Sequence, residues 1–333
     1  LFWRFVRHQS FVIQKGFALK SKHKIGVDMI TIPKTILRHN EVYYNKPSKK
    51  NMIEKFVEVE GGKVYCRMEG SSSEEIPLVI LHGGPGYPSY YLENLEVLKK
   101  QRPVLFYDQL GCGRSQRPNN SKLWVLERFV NELEAVVTSF GLEKFFLLGH
   151  STGTMLAVDY YFKFRKKVAG MVLASPVMNS RKYIEDEWEL VKKLPQKISA
   201  ILRNNDKNDP FYDQAYEAFL KVHMFQGESK LEEKSNEELG EQVYETMWGD
   251  NELNLTGNLR EYDRSKNLSG ISCPILFTCG RFDTATPKTV EGYHLLTPQS
   301  KMVIFENSAH MAHLEEPEKY IASVKNFLLL RRP

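Results

Sequence analysis

The chain has 333 residues, 42% of them hydrophobic and 12% aromatic, with 46 Lys or Arg against 41 Asp or Glu. That size and apolar content suffice for a full core, as one large α/β domain with an insertion or as two domains, and the near balance of charge implies no nucleic-acid partner. No run of 18 apolar residues occurs, so no membrane-spanning helix and no membrane partner are implied.

Residues 1–51 form a basic extension, with eight Lys or Arg in the first 38 positions against the single acid Asp28. The segment reads as a floppy tail or a leader, and a basic, acid-poor leader is also the composition of an organellar transit peptide. Cys66, Cys112, Cys273 and Cys279 show neither C-x-x-C pairing nor disulfide density, which points to buried free thiols in a reducing compartment. The expected location is therefore the cytoplasm, or an organelle if residues 1–51 are a transit peptide.

From Met52 the pattern becomes regular. "KFVEVE", "GG" and "KVYCRM" read as a β-hairpin. "PLVILHG" (77–83), "PVLFYD" (103–108), "KFFLLG" (144–149), "VAGMVLAS" (168–175), "PILFTCG" (274–280) and "KMVIFE" (301–306) are short apolar runs, as expected of strands buried on both faces. Helical patterns lie between most of them, so the predicted fold class is α/β: a mainly parallel sheet with an antiparallel edge hairpin. The rhythm breaks over 179–265, which reads as an inserted helical lid without a buried strand, leaving 52–178 and 266–333 as the core.

Gly149-His150-Ser151-Thr152-Gly153 fits G-x-S-x-G between a buried strand and a helix, the context this motif requires. The sharp turn crowds the backbone, so the glycines are a steric need, and the serine hydroxyl is lifted over the sheet edge at a helix N-terminus. A serine needs a base, itself oriented by an acid. Asp283 in "FTCGRFDTATP" and His310 in "MVIFENSAHMAHLEEP" follow in the expected order, each in a loop leaving a buried strand.

His313 is the rival base, but His310 comes first after its strand and is preferred. "HMAH" is half a metal site with no matching cluster elsewhere, so neither a metal nor an organic cofactor is expected. His150, His223 and His294 read as structural or surface residues. "LHGGPG" (81–86) supplies the second half of an oxyanion hole, with one backbone donor at Gly84 and the other at Thr152. Asp108 in "YDQLGCGRS" reads as a loop brace.

"HGGPG", "YDQLGCGRS", "GHSTGTMLA", "MWGDNELNLTGNLREYD", "LFTCGRFDTATP" and "SAHMAHLEEPE" together resemble the proline iminopeptidase family of α/β-hydrolases, especially its tricorn-associated aminopeptidase branch, over Met52–Leu330. The resemblance implies a serine exopeptidase that removes an N-terminal residue, often proline, from short peptides with a free N-terminus. It also implies acidic lid residues that hold the substrate amine, for which Glu252 matches one position and Glu217 is the second candidate. The bulky aromatic often found after the family's nucleophile is Thr152 here, and a following glycine is Thr154. These departures alter the pocket wall and leave room for wider N-terminal specificity or amide hydrolysis. A carboxylesterase or amidase on the same scaffold, and a non-catalytic ligand receptor, are the competing functions. The oligomeric state is left open.

Overall fold

The hairpin of β1 (Met52–Val59) and β2 (Gly62–Glu69) pairs in register from Met52 with Glu69 to Val59 with Gly62. The structure is a computed structural model that describes residues 52–70 and 75–329; the basic extension, residues 1–51, lies outside the described residues. The sheet continues with β3 (Leu78–Leu81), β4 (Val104–Tyr107), β5 (Phe145–His150) and β6 (Val168–Ala174). A short two-stranded ribbon, β7 (Gly249–Asn251) and β8 (Asn254–Leu255), stands apart, and β9 (Ile275–Gly280) and β10 (Ser300–Phe305) complete the sheet. Its strand order is β1-β2-β4-β3-β5-β6-β9-β10. Every pairing from β4 to β10 is parallel, and β2 meets β4 antiparallel, so the hairpin is the antiparallel edge anticipated from its alternation.

The uninterrupted apolar runs are explained by two cores, one on each face. Val79, Leu81, Leu147, Leu173 and Phe277 point into one, while Leu78, Ile80, Leu148, Val172 and Leu276 point into the other. Neither face needs a polar residue, so the period-2 alternation of a half-exposed strand is absent. The first core is roofed by α1 (Leu126–Ser139) and α2 (Gly153–Phe164). The second is roofed by a 3₁₀ helix, Ser89–Lys100, and the C-terminal helix Pro317–Leu329. Each fully buried Leu, Val or Phe in these layers contributes roughly 1.5–3 kcal/mol.

Between β6 and β9 the chain leaves the sheet and forms α3 (Ser180–Lys193), α4 (Gln196–Asn204), α5 (Tyr212–His223), α6 (Lys230–Glu237) and α7 (Glu241–Met247). The β7–β8 ribbon in this segment was not anticipated, because two or three residues per strand are too few to print a periodicity. The insertion is tied to the loops after β3 and β4: Gly240 N–H donates to Gly86 O at 2.8 Å and Gly113 N–H to Glu238 O at 3.1 Å. Tyr183, Val243, Met247 and Trp248 join the first core, so the segment shares the apolar interior of the sheet. Among the described residues no helix is long and apolar enough to cross a membrane, and all four cysteines are free and buried.

Candidate active site

Ser151 stands immediately after β5, in a left-handed backbone conformation with φ 55°. That conformation costs a non-glycine residue on the order of 1 kcal/mol or more and persists only where the surroundings enforce it. Here Ser151 N–H donates to Ala174 O at 2.9 Å, and α2 begins two residues on. Gly153 is a steric requirement: a side-chain carbon there would run into the backbone oxygens of Leu81 and His82. Thr154 has found a use for its hydroxyl, which donates to Ser151 O at 2.6 Å and accepts from Val177 N–H at 3.1 Å, so a threonine ties down a turn that a glycine would leave freer.

Asp283 leaves β9 and His310 leaves β10, and the two meet: His310 Nδ1 lies 2.7 Å from Asp283 Oδ1, with both side chains buried. An ionised carboxylate only accepts, so the ring proton sits on Nδ1 and Nε2 is left as the basic atom. Nε2 is buried and has no hydrogen-bond partner among the described residues. Burial opposes the imidazolium, but the Asp283 carboxylate outweighs it and holds His310 above the ordinary histidine value. Asp283 is itself held by Ala285 N–H (2.8 Å), Gly280 N–H (3.2 Å) and the Ser175 hydroxyl (2.7 Å).

The loop after β3 lies against the serine turn, since a side-chain carbon on Gly83 would sit 2.8 Å from Ser151 Cβ. Gly83 N–H is engaged by Tyr91 OH at 3.0 Å, and Gly84 follows with φ 112°. Ser151, Gly84 and Glu252 are partly exposed, whereas Thr152, Asp283 and His310 are buried.

Glu252 follows β7, where Tyr244 OH donates to Oε1 at 2.7 Å and Tyr216 OH accepts from its backbone N–H at 2.9 Å. Burial raises its pKa, opposed by the Tyr244 bond and by the charge of His310, so this carboxylate and the His310 ring feel one another. Glu217, on α5, keeps its side chain 37% exposed and pairs at 3.0 Å with Lys221 one turn along.

A second carboxylate lies within electrostatic reach of Glu252. Glu187 on α3 has no solvent exposure, and neither of its oxygens has a partner among the described residues. Burial first, then the charges of Glu252, Asp186 and Asp283, push its pKa well above the ordinary carboxylate range. Tyr183, one turn before it, donates to or accepts from Thr284 Oγ1 at 2.6 Å, and its ring centroid is 6.5 Å from that of His310. The signal was present in the sequence: Tyr183, Glu187, Leu190 and Val191 share the buried stripe of α3, and an acid on such a stripe has no surface role.

The remaining candidates are placed plainly. Asp108 is fully buried, accepting from Ser89 and Arg114 around its loop. His313 donates from Nε2 to Tyr91 O at 3.2 Å, and burial pushes it down to about 3. His223 contacts Phe282 O at 2.7 Å and His294 contacts Ser300 Oγ at 2.6 Å. His150 is not at the surface: it is 2% exposed, between Tyr91 and His310. Among the described residues no group of three or more His, Cys, Asp or Glu could hold a metal ion.

Residues 76–317 match the alpha/beta hydrolase fold family. The chain is 39% identical over 282 residues to the proline iminopeptidase of Heyndrickxia coagulans, covering 83% of this chain and 98% of that protein. It is 34% identical over 278 residues to the proline iminopeptidase of Lactobacillus acidophilus, covering 80% and 95%. The crystal structure of the Mycobacterium smegmatis proline iminopeptidase superposes with a TM-score of 0.78 at 28% identity, over 84% of this chain and 98% of that one.

Proposed function

The chain belongs to the proline iminopeptidase family of α/β hydrolases, and from that premise we propose that it is a serine aminopeptidase that releases an N-terminal residue, proline above all, from short peptides. The observation that carries this reading is a buried His310 Nε2, free of any hydrogen-bond partner among the described residues, whose ring feels the charge of a partly exposed carboxylate, Glu252.

His310 Nε2 takes the proton of the Ser151 hydroxyl as Oγ attacks the carbonyl carbon of the first residue. The new C–O bond forms, and the carbonyl electron pair moves onto oxygen, where the N–H groups of Gly84 and Thr152 receive it. His310, its imidazolium held by Asp283, then gives the proton to the departing peptide nitrogen as the C–N bond breaks. Water repeats the sequence on the acyl-enzyme, frees the amino acid and restores Ser151.

Residues 179–265 act as the lid that carries Glu252. An α-amino group of pKa ~7.7–8.0 is largely cationic at neutral pH, and a sheltered carboxylate fixes it, and with it the first carbonyl, over Ser151.

Prolyl, alanyl and leucyl arylamides assayed beside short acyl esters test the reading. The expected result is aminoacyl turnover that Ser151→Ala abolishes. Glu252→Gln lowers kcat/KM on aminoacyl arylamides by about 30- to 4000-fold, the equivalent of the ~2–5 kcal/mol lost when one partner of a buried charge pair is removed, and spares the esters. Ester cleavage without aminoacyl turnover overturns the peptidase assignment in favour of an esterase.

A further inference from the structure

Three loops must hold their reacting atoms in one frame: the loop after β3, the serine turn and the loop bearing His310. An unbroken line of hydrogen bonds runs through all three. Gly83 N–H donates to Tyr91 OH at 3.0 Å. The carbonyl of His310 can only accept, so His150 Nε2, 2.9 Å away, carries the ring proton and donates to it. The neutral ring is then an acceptor at Nδ1, where it takes the phenolic proton of Tyr91 at 2.9 Å.

The line is dry and closely packed. Tyr91 is 1% exposed, and His150 and His310 are each 2% exposed. The ring centroids of Tyr91 and His150 are 5.2 Å apart, and those of His150 and His310 are 4.9 Å apart. Burial, then the charges of His310 and His313, holds His150 well below the ordinary histidine value, so it stays the neutral ring that this pattern of donors and acceptors needs. The far end is gripped twice, because Ser175 Oγ lies 2.9 Å from the same His310 carbonyl and 2.7 Å from Asp283 Oδ2. The near end is anchored to the insertion, where Tyr91 N–H donates to Ser235 Oγ at 3.0 Å.

We propose that Tyr91 and His150 are positioning residues for hydrolysis, a neutral relay that sets the Gly84 amide, the Ser151 hydroxyl and His310 Nε2 at their working separations without touching substrate. The relay rests on the proposed nucleophile and base and not on the amine pocket, so it acts on ester and amide substrates alike. A displacement of about 1 Å in such an arrangement costs on the order of a hundredfold in rate.

The test compares the full chain with Tyr91→Phe, His150→Phe and the double variant, on a prolyl arylamide and on a short acyl ester. The expected result is that each single variant lowers kcat about tenfold or more on both substrates with KM within about twofold, and that the double variant is no slower than the worse single, because both cut one line. Losses that multiply, a change under about twofold, or a change confined to KM overturn the proposal. A loss on the arylamide alone overturns it too and assigns these residues to the amine pocket. Long-range ¹H–¹⁵N correlation of histidine-labelled wild-type protein tests the relay without any variant having to fold. A His150 signal that stays neutral with its proton on Nε2 between pH 6 and 8 is the result expected. A proton on Nδ1, or a cationic ring at pH 6, overturns it.

Discussion

Replacing Glu187 by glutamine removes an acid whose charged form the fold leaves without compensation. Its side chain has no solvent exposure, neither oxygen has a partner among the described residues, and the charges that act on it come from the carboxylates of Glu252, Asp186 and Asp283. Burial and these like charges raise its folded-state pKa well above that of the unfolded chain. The sign follows from proton linkage. Below the unfolded value both states hold the acid neutral. As pH rises from there toward the folded value, the unfolded chain ionises first and stability is lost, by about 1.4 kcal/mol for each unit that separates the two values. Glutamine carries no such loss, and each kcal/mol regained is worth roughly 2–4 °C of melting temperature in a large single domain. Glu187→Gln therefore melts at least a few degrees above wild type at pH 8, and the gap closes toward pH 4. Melting curves of both proteins across that range measure it. A variant no more stable than wild type at pH 8, or a gap that does not change with pH, would refute the reasoning.

Two further outcomes are expected. Gly153→Ala forces a carbon against the backbone oxygens of Leu81 and His82, neither of which is a flexible side-chain end, so the variant is recovered with under about 1% of wild-type activity or does not accumulate as folded protein. His313, held at about 3, has the opposite sign to Glu187: the unfolded chain takes up its proton near ~6.5, so between pH 6.5 and 5 this group alone removes about 2 kcal/mol of stability, and His313→Phe flattens the acid limb of the melting-temperature profile. A limb of unchanged slope in the variant would show that other histidines carry the acid sensitivity.

Much of this arrangement was legible in the chain because sterics and burial write themselves into sequence. A strand covered on both faces admits only apolar residues, so Leu78–Leu81 and Phe145–His150 announce themselves as continuous runs. The serine turn needs glycine where the chain passes within contact of another strand's carbonyls, and such a turn leaves a fixed spacing. Asp283 and His310 could be named because parallel strands deliver their trailing loops to one edge of the sheet. Glu217 was chosen from the neighbourhood of a motif, although the buried face of α5 runs through Tyr212, Ala215, Tyr216, Phe219 and Leu220 and passes it by. Glu187 went unnoticed among the many charges of "YIEDEWELVKK" despite lying on the apolar stripe of its helix. His150 gave no local signal, for its partners Tyr91 and His310 are brought to it only by the topology of the sheet.

That topology has a consequence for how the protein is made. The serine turn follows β5, whereas Asp283 and His310 follow β9 and β10, which join the sheet at its far side only after the whole insertion has been synthesised. A chain emerging from the ribosome thus carries the proposed nucleophile for a long interval during which the proposed base has not yet been made. On the proposed mechanism hydrolytic power arrives with the last strand, and a product shortened before β9 keeps Ser151 as an ordinary alcohol.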